Sequence, residues 1–450
     1  MLTRFQNIDT IVTCDERDRV LTNTDLWFQD GVIVAVGEFA GTPDETIDGR
    51  SLVVYPGLVN THHHLYQYFT RNLEKVQNYE LFDWLKALYG VWKNLNADTV
   101  FLSSTAGMAE LMRYGCTTCF DHHYVFPSGA GDLLAAQFAA ADMLGIRMHA
   151  SRGSMDLSEK DGGLPPDSVV QEIDTILIDS ERLIRTYHDA SRYAMHRLVL
   201  APCSPFSAST ELYRQSAVLA RQYGVHLHTH LCETKDEEAY TLQAFGKRPF
   251  AYMEELGWTG EDVFYAHAIH LNDAELDRMA KTGSKAAHCP CSNMKLSSGV
   301  MRLPDMLARG IDVGLAVDGS ASNDGSNLMD EMRAAYLVHR LTWGDRAPSG
   351  YEILKCATVG GARVLGRDDV GSIAVGKAAD LFAIRKDRSD LLCAIDDPKN
   401  LFGSVGYHKP CDLVFVNGKQ TVKDGEVLGI DEAKLVEDGR KELKRFLQNL

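Results

Sequence analysis

The feature that most constrains this chain is a repeat of apolar, strand-sized runs, each ending in polar or ionisable residues. From Leu58 to about Arg363 the runs GLVNTHHH, TTCFDHHYV, IRMHASRG, RLVLAPCSP, HLHTHLC, FYAHAIH, KAAHCP and DVGLAVDG alternate with helical stretches such as DSVVQEIDTILIDSERLIRTYHD. Eight strand–helix alternations over about 300 residues predict an α/β fold, a parallel (β/α)8 barrel of the TIM type. A barrel of about 250 residues gives each unit roughly 31 residues. His230, His267, His288 and Asp318 follow one another at intervals of 37, 21 and 30 residues, so each step is close to one unit. They are therefore expected at matching heights, at the strand ends where barrel active sites gather.

The flanks have a different texture. The first 57 residues read as short strands (IDTIVTCD, LWFQDGVIVAVG, SLVVYPG), and residues 371–430 repeat that pattern, with Asn417-Gly418 marking a hairpin turn. The expectation is one small β-sandwich built from both ends, residues 1–57 and 363–450, beside a barrel at 58–362. Pro165-Pro166 and the Gly-rich residues 128–131 mark excursions from the barrel, and ELFDWLKALYGVWKNL reads as helices covering its mouth.

Composition narrows the class of partner. With 45% hydrophobic and 24% charged residues, the 450-residue chain can bury a large core. Its net charge of −16 repels phosphate backbones and anionic lipid heads, which argues against nucleic acid and membrane surfaces as partners. The ten cysteines are scattered, the start MLTRFQNIDTIVTCDERDRV has no secretory pattern, and no apolar run approaches a membrane span. A cytoplasmic location is expected.

Of sixteen histidines, His188, His196, His339 and His408 lie in helical or connecting segments with nothing nearby to make a site. Others cluster at strand ends. His62-His63-His64 closes the first barrel strand, and alternation puts His62 and His64 on one face with His63 on the other. Two imidazoles at i and i+2 on an inward face form one edge of a metal site. His226, His228 and His230 share a face of the fifth strand, too many for all to be ligands. His230, at the mouth, is best placed, and His226 reads as a deeper structural residue. His267 and His288 end the next two strands, and Asp318 ends VGLAV. Three histidines and one aspartate from this set fit a Zn2+ or Fe2+ site with an open position. Glu233, just past the fifth strand, is then free for proton transfer. Burying so many ionisable groups around one axis without a metal is costly, which argues against a purely structural role.

Competing motifs are weaker. Gly371-Ser-Ile-Ala-Val-Gly376-Lys377-Ala378 imitates a phosphate loop but has Ala378 where a hydroxyl should meet Mg2+, so a β-domain turn is expected. Cys116 and Cys119 have redox spacing but lie in an apolar strand and should be inert. Cys289-Pro290-Cys291 lacks the second pair of a four-cysteine zinc site.

Together PGLVNTHHH, HTHLCET, FYAHAIH, AHCPCSNMKLSSG, LAVDGSASND and GSIAVGKAADLFAI resemble the amidohydrolase superfamily, in particular its branch of guanine deaminases and chlorohydrolases. The resemblance spans essentially the whole chain. It implies that His62, His64, His230 and Asp318 hold one divalent metal, usually zinc, and that Glu233 shuttles protons. Asp318 takes the proton of the attacking water, and His267 partners that water or the substrate. Gln67 resembles the glutamine that meets a purine carbonyl and N–H edge. His288, Cys203 and Arg152 stand at strand ends and are expected to line the pocket. Cys232 stands where relatives often carry a smaller residue, and DHHYVFP departs from the pattern at His123. The roles of His122, His123, His228 and Cys232 stay open.

Within that branch, HHHLYQ, DHHYVFP, SRGSMDLSEKDGGLPPDSVVQ and APCSPFSAS are most similar to enzymes acting on oxidised purines. The implied activity is hydrolytic deamination of a free base, 8-oxoguanine to urate plus ammonia. Guanine, isoxanthopterin or another pterin, or an amino or chloro group on an s-triazine, are alternatives for the same chemistry. A non-catalytic barrel scaffold is opposed by the complete ligand set with Glu233. The resemblance also implies a homo-oligomer whose partner is a small purine- or pterin-like base.

Overall fold

The computed structural model describes residues 1–448. Its centre is the expected parallel barrel. The strands Leu58–Asn60, Cys116–His123, Arg147–Ser154, His196–Pro202, His226–Leu231, Val263–His267, Lys285–His288 and Val313–Leu315 pair in sequence order. Short extensions bring the first and last together. Asp318–Gly319 pairs in parallel with His63–His64, and the Asp318 amide donates to the His62 carbonyl at 3.1 Å. The second and third strands are buried along their whole length, because helices cover one face and side chains fill the other.

Local chemistry sets the helix limits. The helix Thr210–Tyr223 starts at Ser209, whose side chain accepts the Leu212 amide, and stops at Gly224 in the left-handed region at φ 67°. Residues 356–364 stop the far end of the barrel, where Ala362, Val364 and Leu365 pack with Val59, Phe120, Val199 and Phe264. The pocket lined by the strand-end residues opens at the other end, where the strands finish. Over it lies the helix Leu81–Trp92, whose Trp84, Leu88, Tyr89 and Trp92 join Tyr66, Tyr124 and Phe206 in a second apolar cluster.

Both ends of the chain supply the other sheet. Leu52–Pro56 pairs antiparallel with Leu381–Arg385 on one side and in parallel with Leu2–Val12 on the other. The strands Val20–Gln29, Val32–Val36, Leu413–Val416, Lys419–Lys423 and Glu426–Val427 extend it, and Glu45–Asp48 adds beside Leu2–Val12. The turn at Asn417-Gly418 has both residues at positive φ, 50° and 74°, as a two-residue hairpin requires. Strand alternation gives this sheet two cores. Leu52, Val54, Leu381 and Ala383 face Phe5, Phe28 and Phe415, while Val53, Tyr55, Phe382 and Ile384 pack with the barrel's main cluster. Phe28 and Phe415 meet at 5.9 Å although three strands intervene in the sheet order. The sandwich is thus one curled sheet with a continuous hydrogen-bond path.

One feature of the C-terminal part was not anticipated. The helix Glu432–Phe446 leaves the sheet and packs on Ala97–Arg113, and its Phe446 is buried in the aromatic cluster over the barrel mouth. Residues 371–378 form the expected turn, with the Ile373 amide on the Thr13 carbonyl and the Gly376 amide on that of Ile33. At the junction, buried Arg147 of the third barrel strand grips Asp380 with Nε and Nη2, at 2.6 and 3.0 Å. No helix among the described residues is long and apolar enough to cross a membrane.

Candidate active site

At the barrel mouth, hydrogen bonds fix which nitrogen of each imidazole is bare. His64 Nδ1 lies 2.6 Å from the His122 carbonyl and His230 Nδ1 lies 2.7 Å from that of Cys203. Carbonyls only accept, so both Nδ1 atoms carry the proton and both Nε2 atoms present lone pairs. His62 is fixed through a relay. His228 Nδ1 donates to the Phe264 carbonyl at 2.9 Å, so its Nε2 accepts from His62 Nδ1 at 2.9 Å. His62 Nε2 is left buried without a partner. Two of these bare nitrogens face one carboxylate, and the third lies against them. Asp318 Oδ1 lies 3.4 Å from His62 Nε2 and 3.3 Å from His64 Nε2, and the Nε2 atoms of His64 and His230 are 3.1 Å apart.

Lone pairs so close repel unless a cation sits among them. Burial holds His62, His64 and His230 below the ordinary histidine pKa, so the rings are neutral, the form that ligates metals. The donor set of three nitrogens and one carboxylate oxygen fits a divalent ion of the zinc type. Ligand atoms of His62, His64, His122 and His230 lie close enough to share one ion, as do those of His62, His267 and Asp318, and from these two groups His62, His64, His230 and Asp318 supply the bare nitrogens and the carboxylate described above.

His228 occupies the supporting position that orients a ligating imidazole. In a His228→Phe variant the His62 Nδ1–H loses its buried acceptor. Metal affinity is expected to fall by about 10- to 100-fold, read by competition with a chelating dye. Unchanged affinity would remove the relay from the site.

The carboxylates are held as firmly. Asp318 Oδ2 accepts from Ser292 Oγ at 2.5 Å and Oδ1 from the Gly319 amide at 2.6 Å. Glu233 has its pKa raised, chiefly by burial, and His267 only partly opposes this. Its Oε1 accepts from Ser298 Oγ at 3.3 Å, and its Oε2 lies 3.6 Å from His267 Nε2. His267 stands between the acids, with Nε2 also 3.9 Å from Asp318 Oδ2 and Nδ1 2.8 Å from Asn293 Oδ1. Burial would lower its pKa, yet the two carboxylates raise it. His267 and Asp318 both have left-handed backbones, φ 69° and 60°, as residues held for function often do.

A narrow pocket opens on these groups. Gln67 and Cys203 line it with His64, His230, Glu233, His267 and Asp318, and Leu81, Trp84 and Leu85 of the covering helix form a wall. Gln67 packs closely on Gly319, where a β-carbon would meet its Oε1 at 1.9 Å, so any larger residue there would displace the Gln67 amide. Two expected pocket residues face elsewhere. Arg152 points outward to Asp179 at 2.7 Å and Gln171 at 2.7 Å, its guanidinium 3.8 Å from the centre of the Phe126 ring. His288 also points outward and meets His339 of the helix Leu328–Trp343 with Nε2 atoms 3.0 Å apart.

Several supporting residues escaped the reading of the sequence. Glu237 accepts the amides of Cys232 and Glu233 at 2.9 and 2.8 Å and so fixes the peptide that carries Glu233. Ser292, Asn293 and Ser298 all lie within AHCPCSNMKLSSG, the segment that was available to suggest them. His122 donates Nε2–H to the Ala201 carbonyl at 2.9 Å and stacks on His230, while His123 meets the Val125 carbonyl at 2.9 Å.

Comparison with known proteins agrees with this geometry. The chain is 45% identical over 400 residues to 8-oxoguanine deaminase of Pseudomonas aeruginosa, covering 86% of each chain. It is 39% identical to hydroxydechloroatrazine ethylaminohydrolase of Pseudomonas sp. strain ADP, covering 96% of this chain and 93% of the relative. The crystal structure of atrazine chlorohydrolase from Arthrobacter aurescens TC1 complexed with zinc superposes with a TM-score of 0.94 at 31% identity, covering 98% of this chain and 100% of that one. Residues 53–427 match the amidohydrolase family, and with the barrel, the curled sheet and the histidine–aspartate cluster in place, the chain belongs to that family.

Proposed function

We propose that the protein is a zinc-dependent hydrolytic deaminase of an oxidised purine base, converting 8-oxoguanine and water to urate and ammonia. The observation that carries this reading is the gathering of the bare imidazole nitrogens of His62, His64 and His230 with Asp318 beside an acid, Glu233, at a pocket that Gln67 and the covering helix also line. The choice of 8-oxoguanine is supported by the Pseudomonas aeruginosa relative.

His62, His64, His230 and Asp318 would hold the ion, whose chemistry when bound would be to lower the pKa of water from 15.7 toward about 7 and so supply a nucleophile at neutral pH. The remaining chemistry belongs to the side chains. Asp318 takes the water proton at its carboxylate as oxygen adds to the amino-bearing ring carbon. Glu233, kept protonated more readily by burial, delivers a proton to the neighbouring ring nitrogen. His267 Nε2, between the two carboxylates, steadies the developing charge on oxygen. Collapse of the tetrahedral carbon expels the amino group, which leaves with a proton as ammonia. Gln67 holds the near edge of the base, and the covering helix excludes bulk water.

A second reading, removal of an amino substituent from an s-triazine, is favoured by the triazine relative's alignment over more of the chain. The two separate in one assay. Zinc-loaded protein is mixed with 8-oxoguanine, guanine, isoxanthopterin and an aminohydroxytriazine in parallel, and ammonia and the ultraviolet spectrum of urate are followed. Selective urate formation is expected. Ammonia from another ring without urate would keep the mechanism and overturn the substrate.

A further inference from the structure

The pocket is too small for a base. Its cavity measures about 30 Å3, against roughly 300–1,000 Å3 for clefts that take small ligands. A flat ring therefore reaches Glu233 and Asp318 only if a wall moves. Most of the wall is fixed by hydrogen bonds. His230, His267 and Asp318 end strands paired in parallel ladders, the Phe206 carbonyl accepts the Leu164 amide at 3.2 Å, and Lys295, next to Leu296, donates to the Ala321 carbonyl at 3.1 Å. The covering helix Leu81–Trp92 is held differently. Among the described residues its backbone exchanges no hydrogen bond with another element, and only two of its side chains do, Tyr89 to Met155 Sδ at 3.6 Å and Trp92 to Thr70 Oγ1 at 3.3 Å. The rest of its hold is apolar packing. Elements that open over ligand sites are drawn from segments so loosely tied.

What holds this helix down comes from the far end of the chain. Phe446 is the one buried residue of the helix Glu432–Phe446, and it is fully enclosed in the same apolar cluster as Leu81, Trp84 and Leu85, the side chains that wall the pocket. Hydrogen bonds flank it. Asn94, two residues past the covering helix, donates Nδ2–H to the Phe446 carbonyl at 3.0 Å, and its own carbonyl accepts from Arg445 Nη2 at 3.1 Å. Arg445 Nη2 also reaches Thr99 Oγ1 at 2.7 Å, on the helix Ala97–Arg113 against which the C-terminal helix packs. A helix whose other side chains stay at least partly exposed thus inserts one aromatic ring beside the pocket wall and pins the chain just behind it. We infer that Phe446 is a latch: its ring holds Leu81–Trp92 over the barrel mouth, and its withdrawal lets that helix lift to admit the base and release the product. The latch governs access and takes no part in bond making. Urate as a probe of it rests on the deaminase reading.

The test is Phe446→Ala in the full-length, zinc-loaded protein. Stopped-flow mixing with urate should show association and dissociation both faster, by at least about 10-fold, because the open fraction sets each rate. Damage to the pocket itself would speed dissociation alone. Amide exchange gives a second readout that needs no ligand. Peptides of Leu81–Trp92 should exchange faster than in wild type by a similar factor, while those of the barrel strand Cys116–His123 keep their rate. Arg445→Met, which removes the bond to the Asn94 carbonyl and leaves the apolar cluster whole, should move both readouts the same way by less. Unchanged association in Phe446→Ala, even with faster dissociation, or unchanged exchange in the covering helix would overturn the latch. If that variant loosens Cys116–His123 as well, Arg445→Met decides alone, and wild-type rates in it overturn the latch. Wild-type protein that binds no urate would count against the proposed substrate instead, and the exchange arm would still decide the latch.

Discussion

With glutamine in place of Glu233, the protein should keep its metal and lose at least about 100-fold in kcat, the low end of what a positioned proton donor contributes. Glu233 is not among the residues that converge on the bare nitrogens, so metal content is expected to match the wild type. Glutamine has the same shape and can still accept from Ser298, and its backbone amide keeps its bond to Glu237. What it cannot do is carry a proton to the ring nitrogen. The loss should therefore fall on kcat with little change in KM, the pattern of an interaction made only in the transition state. Metal analysis beside initial rates checks both halves. A full rate with a full complement of metal would remove Glu233 from the mechanism.

The second large effect concerns stability. Arg147 and Asp380 are both buried, paired at 2.6 and 3.0 Å, and Asp380 Oδ1 also accepts the Asn417 amide at 2.7 Å. This pair ties the third barrel strand to the terminal sheet. Asp380→Ala strands a guanidinium in the interior, and breaking a buried pair in this way costs about 3–5 kcal/mol. The urea midpoint should fall accordingly. Removing both charges with apolar residues of similar size, Arg147→Met with Asp380→Leu, should cost less than the single change, since no unpaired charge remains. A double variant as unstable as the single one would show that the ion pair is not the source of the effect.

How far the sequence could be read is clearest in the strand-end residues. Chain spacing gives the height of a residue in the barrel, and every strand-end residue singled out lies near the mouth. It does not give the face, because side chains alternate and a one-residue change in where a strand begins turns each of them over. His62 and His64 could be placed because the adjacent His63 fixed the parity, and His63 does point away, to Ser326 at 3.0 Å. Arg152 and His288 had no such neighbour. Both stand at the right height on the outward face, where Asp179 and His339 of the covering helices receive them. The supports of the site were hidden for another reason. His228, Glu237 and Asn293 act through hydrogen bonds across elements, which are not visible before the chain is folded.

The most direct test of a metal-dependent deaminase built on His62, His64, His230 and Asp318 is a titration. Protein stripped of metal with a chelator is given zinc in steps, and urate and ammonia from 8-oxoguanine are followed at each step. The two products should appear in equal amounts, at a rate that rises with zinc and levels off at one ion per chain. Urate formed at full rate by the metal-free protein, or none from protein carrying a full equivalent of zinc, would contradict it.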